Sequence, residues 1–286
     1  MPAEQIKGMP IANKIREEII AEVETMKTKG VTPKLAVVLV GDDEASVVYA
    51  RSKEKVGDKL GVKVELTVKP ASTSEEDVLS LIDSLNADDS VHGILVELPL
   101  PKGISKEKVM SRLDPLKDVD GVHPVNRGYL LGGQEHLALV PATPLACIEL
   151  MERAGVELRG KRVALVGRGD TVGRPLASLL IKRDATITVC HTKTVDIPSI
   201  TKTAEIVVVA AGKAGLVNGD MLSPGQVVVD AGINAKEEGG ITGDVDFESA
   251  EKVVRAITPV PGGVGSLTTT IIMNNVLKAV KLQGKA

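Results

Sequence analysis

The stretch VALVGRGDTVGRP, residues 163–175, decides how the second half of this chain folds. Val163–Val166 read as a buried strand, and the helical pattern resumes at Arg174. Between them Gly167, Gly169 and Gly173 form G-x-G-x-x-x-G, one residue longer than the usual dinucleotide fingerprint. Glycines at such a turn let backbone approach a pyrophosphate, and the helix N-terminus supplies N–H groups and positive potential. A glycine pattern alone also fits an ordinary tight strand-to-helix turn. Its place at the head of a β-α series favours the dinucleotide reading.

Working outward, ATITVC (185–190), AEIVVVAA (204–211), GQVVVDAG (225–232) and a short strand near 255–258 continue that series. An NAD site usually carries an acid about 20 residues on, at the end of the second strand. Here that strand ends CHTKT, with Thr192 and Lys193 in the region and Arg168 in the glycine loop. Hydroxyls and cations suit a 2′-phosphate, so the expected cofactor is NADP rather than NAD.

The first half has the same rhythm. Ile11, Ile15, Ile19, Val23 and Met26 recur near helical period, and Lys34–Val40 is a continuous apolar strand. A helix from Ser46, a strand over 62–68, a helix over 74–86 and a strand beginning at Gly93 follow. Continuously apolar strands alternating with helices imply parallel sheets covered on both faces. The fold class is therefore α/β, with two α/β domains, the second a Rossmann-type dinucleotide-binding domain. The Gly- and Pro-rich segment 118–144 interrupts the pattern and is expected to cross between domains. The C-terminal helix after PGGVG caps the second domain or packs on the first; its sequence does not choose.

Composition narrows the function. The chain has 286 residues and a net charge of −3, with no basic stripe for nucleic acid. No apolar run approaches membrane-spanning length, and the N-terminal MPAEQIKGMP lacks a signal core, so a cytoplasmic protein is expected. Cys147 and Cys190 form no paired motif, and the four histidines have no ligand spacing, so no metal site is expected.

Two features of the first half carry chemistry. In GILVELPLP (93–101), Glu97 is a carboxylate in an apolar run, and burying it ionised requires a partner. In SVVYARSKEK, Tyr49 and Lys53 are spaced i, i+4 and share a helix face near a sheet's carboxyl edge. Taken alone, that spacing favours a solvated Lys-rich helix, since Arg51, Lys55 and Lys59 lie on it too. In KDVDGVHP, Asp118 and Asp120 sit where turns favour aspartate for conformational reasons as much as chemical ones.

Together VGDDEAS, YARSK, GILVELPLP, KDVDGVHP, PATP, VGRGDTVGRP, CHTKT, DAGIN, GDVDF and TPVPGGVGSLTT give a chain that resembles the bifunctional methylenetetrahydrofolate dehydrogenase/methenyltetrahydrofolate cyclohydrolase family over nearly its whole length. The resemblance implies a folate-binding catalytic domain, residues 1–140 and 267–286, and an NADP-binding domain, 141–266, with a cleft between them and a homodimer formed through the cofactor domains. It implies that methylene-tetrahydrofolate is oxidised with NADP and the methenyl product hydrolysed to the 10-formyl form. Lys53 is then the catalytic lysine and Tyr49 lies against the folate rings. Asp120 anchors the pterin, and Pro261, Gly262 and Gly263 lie near the folate. Gly167, Arg168, Gly169, Gly173, Thr192 and Ile233 meet the cofactor.

Some positions depart from the family pattern. Ala142 and Ala146 replace Cys and Gly, Gly169 replaces Ser, and Ser266 and Leu267 replace Pro and Met. Glu97 stands where the family has a glutamine that hydrogen-bonds the lysine. An ion pair would keep Lys53 charged and weaken hydrolysis while sparing oxidation. A protonated Glu97 would imitate the amide, and a charged Glu97 beside a neutral lysine would itself be a base. A dehydrogenase-only member, a dehydrogenase of another small substrate and a non-catalytic NADP- or folate-binding protein are the alternatives.

Overall fold

A computed structural model describes residues 2–236 and 238–286 of the chain, with the side chains of Ala45 and Tyr49 outside the described residues. In chain order the elements are β1 (Glu4–Gln5), α1 (Gly8–Thr28), β2 (Lys34–Val40), α2 (Glu44–Leu60), β3 (Lys63–Lys69), α3 (Glu75–Ala87), β4 (Gly93–Val96), α4 (Lys106–Arg112) and α5 (Pro124–Leu131). There follow α6 (Ala142–Arg153), β5 (Arg162–Val166), α7 (Gly173–Lys182), β6 (Thr186–Cys190), α8 (Ile197–Thr203), β7 (Ile206–Val209), β8 (Val227–Asp230), β9 (Asn234–Ala235), β10 (Ile241–Thr242), α9 (Phe247–Ala250), β11 (Ala256–Ile257) and α10 (Gly265–Leu282).

The chain divides into two compact units. The catalytic-side unit takes Lys14–Ala142 and Thr269–Ala286. Its three strands pair in parallel in the order β3-β2-β4, and Val38, Ile94, Val78, Ile82 and Val109 pack in one apolar cluster. Ser74 caps α3 by accepting from the Asp77 N–H at 3.1 Å. Asn275 of α10 donates to the carbonyls of Val119 (2.8 Å) and Val140 (2.7 Å), which ties the C-terminal helix into this unit.

The second unit has a six-stranded parallel sheet in the order β1-β11-β8-β7-β5-β6, with antiparallel β9 and β10 beside it. β7 is a short aliphatic run and β8 is aliphatic up to Asp230, and both are buried at every position.

The fold differs from the sequence expectation in three places. The N-terminal stretch up to Asn13 belongs to the second unit, not to the 1–140 domain. β1 adds to β11 in parallel, and the Ile6 N–H donates to the Ile257 carbonyl at 2.9 Å. Two exposed polar residues carry no strand period, so β1 is silent in sequence. Segment 118–144 is not merely a crossing: it contains α5, and α6 begins within it. Finally, β4 stops at Val96, so Glu97 lies just past the strand rather than inside it. Its N–H still donates to the Val38 carbonyl at 2.9 Å, which holds the residue at the sheet's carboxyl edge.

Candidate active site

In the catalytic-side unit, β3 and β4 flank β2, so the carboxyl ends of β2 and β4 form a switch point, where open α/β sheets bind ligands. A groove of about 410 Å³ lies there, lined by Val40, Gly41, Asp43, Ser46, Glu97 and Pro99 among others. α2 starts at this edge, capped by Asp43, whose carboxylate accepts from the Ser46 N–H at 2.9 Å.

Nine residues into α2, the helix turns Lys53 inward. Arg51, Lys55 and Lys59 are exposed, whereas Lys53 is 1 % exposed. Its Nζ lies 2.7 Å from Glu97 Oε1, and Glu97 is 14 % exposed. A lysine is almost never buried without such a partner, because its desolvation costs several kcal/mol. The solvated-helix reading therefore fails for this residue alone. Tyr49 is on the same helix, but its side chain lies outside the described residues.

The two aspartates of KDVDGVHP separate in role. Asp118 is fully buried and accepts from the N–H groups of Val122 (3.2 Å) and His123 (2.8 Å) and from Asn126 Nδ2 (2.9 Å). Burial pushes its carboxyl up to about 6, and these hydrogen bonds oppose the rise. It locks the turn that carries Asp120. Gly121, at φ +62°, completes that turn, and a Cβ there would press on the Leu139 carbonyl. Asp120 is half-buried and accepts no hydrogen bond among the described residues. Its carboxyl is pushed up to about 7, first by burial and then by the nearby Asp118 and Glu97, with Lys53 and Lys106 opposing. Such an unmatched carboxyl is suited to an outside N–H donor.

That arrangement has a stability consequence. The folded chain holds the Asp120 proton to higher pH than the unfolded chain, so stability is lost as pH rises from about 4 to about 7. Asp120→Asn is expected to raise stability at pH 8 by about 1–3 kcal/mol and by much less at pH 4.5. Urea unfolding at both pH values measures this, and an equal change at both would contradict it.

In the second unit the switch point falls between β5 and β7, and a second groove of about 410 Å³ opens at their carboxyl ends. Gly167, Arg168 and Gly169 line it after β5, His191 and Thr192 after β6, and Ala210, Ala211 and Lys213 after β7. Gly167 has φ +123°, and a Cβ on it would overlap the Ala210 carbonyl; one on Gly173 would overlap the Gly167 carbonyl. The glycines thus form a tight backbone cradle at the start of α7. No carboxylate is among the described lining residues, and Arg168 and Lys213 supply positive charge. The cradle fits a dinucleotide with an extra phosphate.

Sequence reasoning missed Lys213 and His191 as lining residues. Lys193, which it noted, is exposed, and its N–H donates to His191 Nδ1 at 3.1 Å. Ile233 is 62 % exposed, in the loop between β8 and β9. Pro261 and Gly262 are exposed before α10, and Gly263 is buried where a Cβ would strike the Pro259 carbonyl. Among the described residues no group of histidine, cysteine or acidic side chains has metal-binding geometry, and no helix is long and apolar enough to cross a membrane.

Residues 6–120 match the family model of the tetrahydrofolate dehydrogenase/cyclohydrolase catalytic domain, and residues 141–284 match that of its NAD(P)-binding domain. The chain belongs to the tetrahydrofolate dehydrogenase/cyclohydrolase family. It is 60 % identical over 283 residues to the bifunctional protein FolD 2 of Desulfitobacterium hafniense, covering 99 % of each chain. The crystal structure of the bifunctional FolD enzyme of Campylobacter jejuni superposes with a TM-score of 0.95 at 42 % identity, covering 98 % of this chain and 99 % of that one. The Trypanosoma brucei FolD structure, complexed with NADP cofactor and an inhibitor, gives 0.93 at 38 % identity over 100 % of both chains. Family membership accounts for a catalytic-side groove and a dinucleotide groove in one chain.

Proposed function

We propose that this enzyme oxidises 5,10-methylene-tetrahydrofolate to the 5,10-methenyl form with NADP and hydrolyses the methenyl form to 10-formyl-tetrahydrofolate, the second activity being weakened by Glu97. The observation that carries the reading is the buried Lys53 amino group held 2.7 Å from Glu97 beside the catalytic-side groove. NADP, held by the Gly167–Gly169 turn with Arg168, Thr192 and Lys213 around it, supplies the hydride acceptor.

Oxidation asks little of the acid-base groups. The methylene carbon loses a hydride and becomes a cation shared by two nitrogens, so positioning carries most of the rate. In our reading Asp120 accepts from the pterin amino edge. Hydrolysis asks more. Water adds to the methenyl carbon and gives one proton to a base; the remaining hydroxyl proton then leaves as the formyl C=O forms, the bond from that carbon to N5 breaks, and N5 takes up a proton, so that one proton is released overall. Lys53 accepts the water proton when it is a neutral amine. Glu97 favours the ammonium and so withholds the base.

A steady-state assay with NADP and NAD, followed by absorbance of the methenyl form, tests this. NADP is expected to be preferred, and methenyl product is expected to accumulate before 10-formyl product appears. No reduction of either nucleotide with methylene-tetrahydrofolate would overturn the reading. We also place the enzyme in the cytoplasm as a homodimer joined through its cofactor units; light scattering distinguishes a dimer from a monomer.

A further inference from the structure

The motifs DAGIN and GDVDF contribute two buried acids that the chemistry above does not use, Asp230 (3 % exposed) and Asp244 (0 % exposed). The Asp244 carboxyl is surrounded by N–H donors. Its Oδ2 accepts from the N–H groups of Ala211 (2.6 Å) and Gly212 (2.8 Å). Its Oδ1 accepts from the Lys213 N–H (2.9 Å) and Asn234 Nδ2 (2.8 Å). Three successive N–H groups of the loop after β7 therefore converge on one carboxylate. Asp230 anchors the anchor: its Oδ1 accepts from the N–H groups of Gly232 (2.8 Å) and Asp244 (3.0 Å), and its Oδ2 from the Val245 N–H (2.9 Å).

The two acids are packed reciprocally. A Cβ on Gly232 would overlap the Asp244 carboxyl, and a Cβ on Gly243 would overlap the Asp230 carboxyl. Each acid thus occupies the space left by the glycine neighbouring the other. Burying two carboxylates side by side is unfavourable, and burial lifts the Asp230 carboxyl to about 6. A reason to retain them is what they hold: Ala211 and Lys213 line the dinucleotide groove, while Asp244 itself does not.

We infer that Asp244, backed by Asp230, is a positioning residue for NADP: it fixes the Ala211–Lys213 wall of the groove and thereby sets cofactor affinity without touching the cofactor. The inference rests on the reading of that groove as the NADP site. Asparagine cannot replace the acid, because its NH₂ would face N–H donors where an oxygen now accepts.

The test is calorimetric NADP binding to the wild type, Asp244→Asn and Asn234→Ala, alongside KM for NADP and for methylene-tetrahydrofolate. Asp244→Asn is expected to raise the NADP Kd about tenfold or more, and Asn234→Ala, which removes one of four donors, by about two- to fourfold. The NADP KM should rise in step while the folate KM does not. A purely structural role would lower the melting temperature and leave the Kd at 25 °C unchanged, and that outcome overturns the inference. If Asp244→Asn does not fold, the Asn234→Ala Kd decides alone. A wild type that fails to bind NADP would instead sink the assignment of the groove.

Discussion

Replacing Lys53 by methionine is expected to lower hydrolysis of methenyl-tetrahydrofolate by about 1,000-fold, within the usual range for removal of a general base. Oxidation is expected to fall far less, about 10-fold, since it needs no proton acceptor and loses only local positioning. The stability cost has a separate origin. Lys53 is 1 % exposed and its methionine analogue keeps most of the buried stem, but Glu97 loses its partner 2.7 Å away. Removing one member of a buried pair costs about 3–5 kcal/mol, and about 1–3 kcal/mol is expected here because Glu97 keeps some solvent contact. Lys53→Met/Glu97→Gln should recover most of that stability and none of the hydrolysis. Single-turnover hydrolysis and urea unfolding of both variants separate the two effects. Hydrolysis retained to within tenfold in Lys53→Met would remove the lysine from the mechanism.

Exchanging Glu97 for glutamine alone should do the opposite. Two unit charges about 3 Å apart attract by roughly 5 kcal/mol at an effective dielectric of about 20, and desolvation takes back part of this. An amide at the same place can hydrogen-bond the lysine without holding a proton on it. Hydrolysis near pH 7 is expected to rise about 10-fold or more. Oxidation should stay within about threefold. The same change removes a negative neighbour of Asp120, whose carboxyl Glu97 helps to push up, so folate binding should extend to a lower pH in the variant. A hydrolysis profile identical to wild type at every pH would refute the role given to Glu97.

Much of this site was legible from local sequence. Gly167 and Gly173 were marked by their place between an apolar run and a helix, and the backbone contacts that forbid a Cβ at each are local ones. The missing acid after β6 was equally plain, because the end of a strand is a short-range feature. Lys53 was not legible from its spacing: Arg51, Lys55 and Lys59 on the same helix look alike in sequence, and only burial separates them. Asp118 and Asp120 were likewise indistinguishable as turn residues until one was found with three donors and the other with none among the described residues.

The sequence by itself determined the alternation of strands and helices, the two parallel sheets, the glycine cradle and the oddity of a carboxylate at Glu97. These depend on apolar period and on residues a few positions apart. Tertiary structure decided what each polar group meets. It set Glu97, just past the end of β4 at Val96, against Lys53. It drew the N-terminal strand to β11 at the far end of the chain. It also turned Asp230 and Asp244 into a clamp on the loop after β7. Parallel pairing joins segments distant in sequence, and the partners of a buried charge come from whichever segments that pairing brings together.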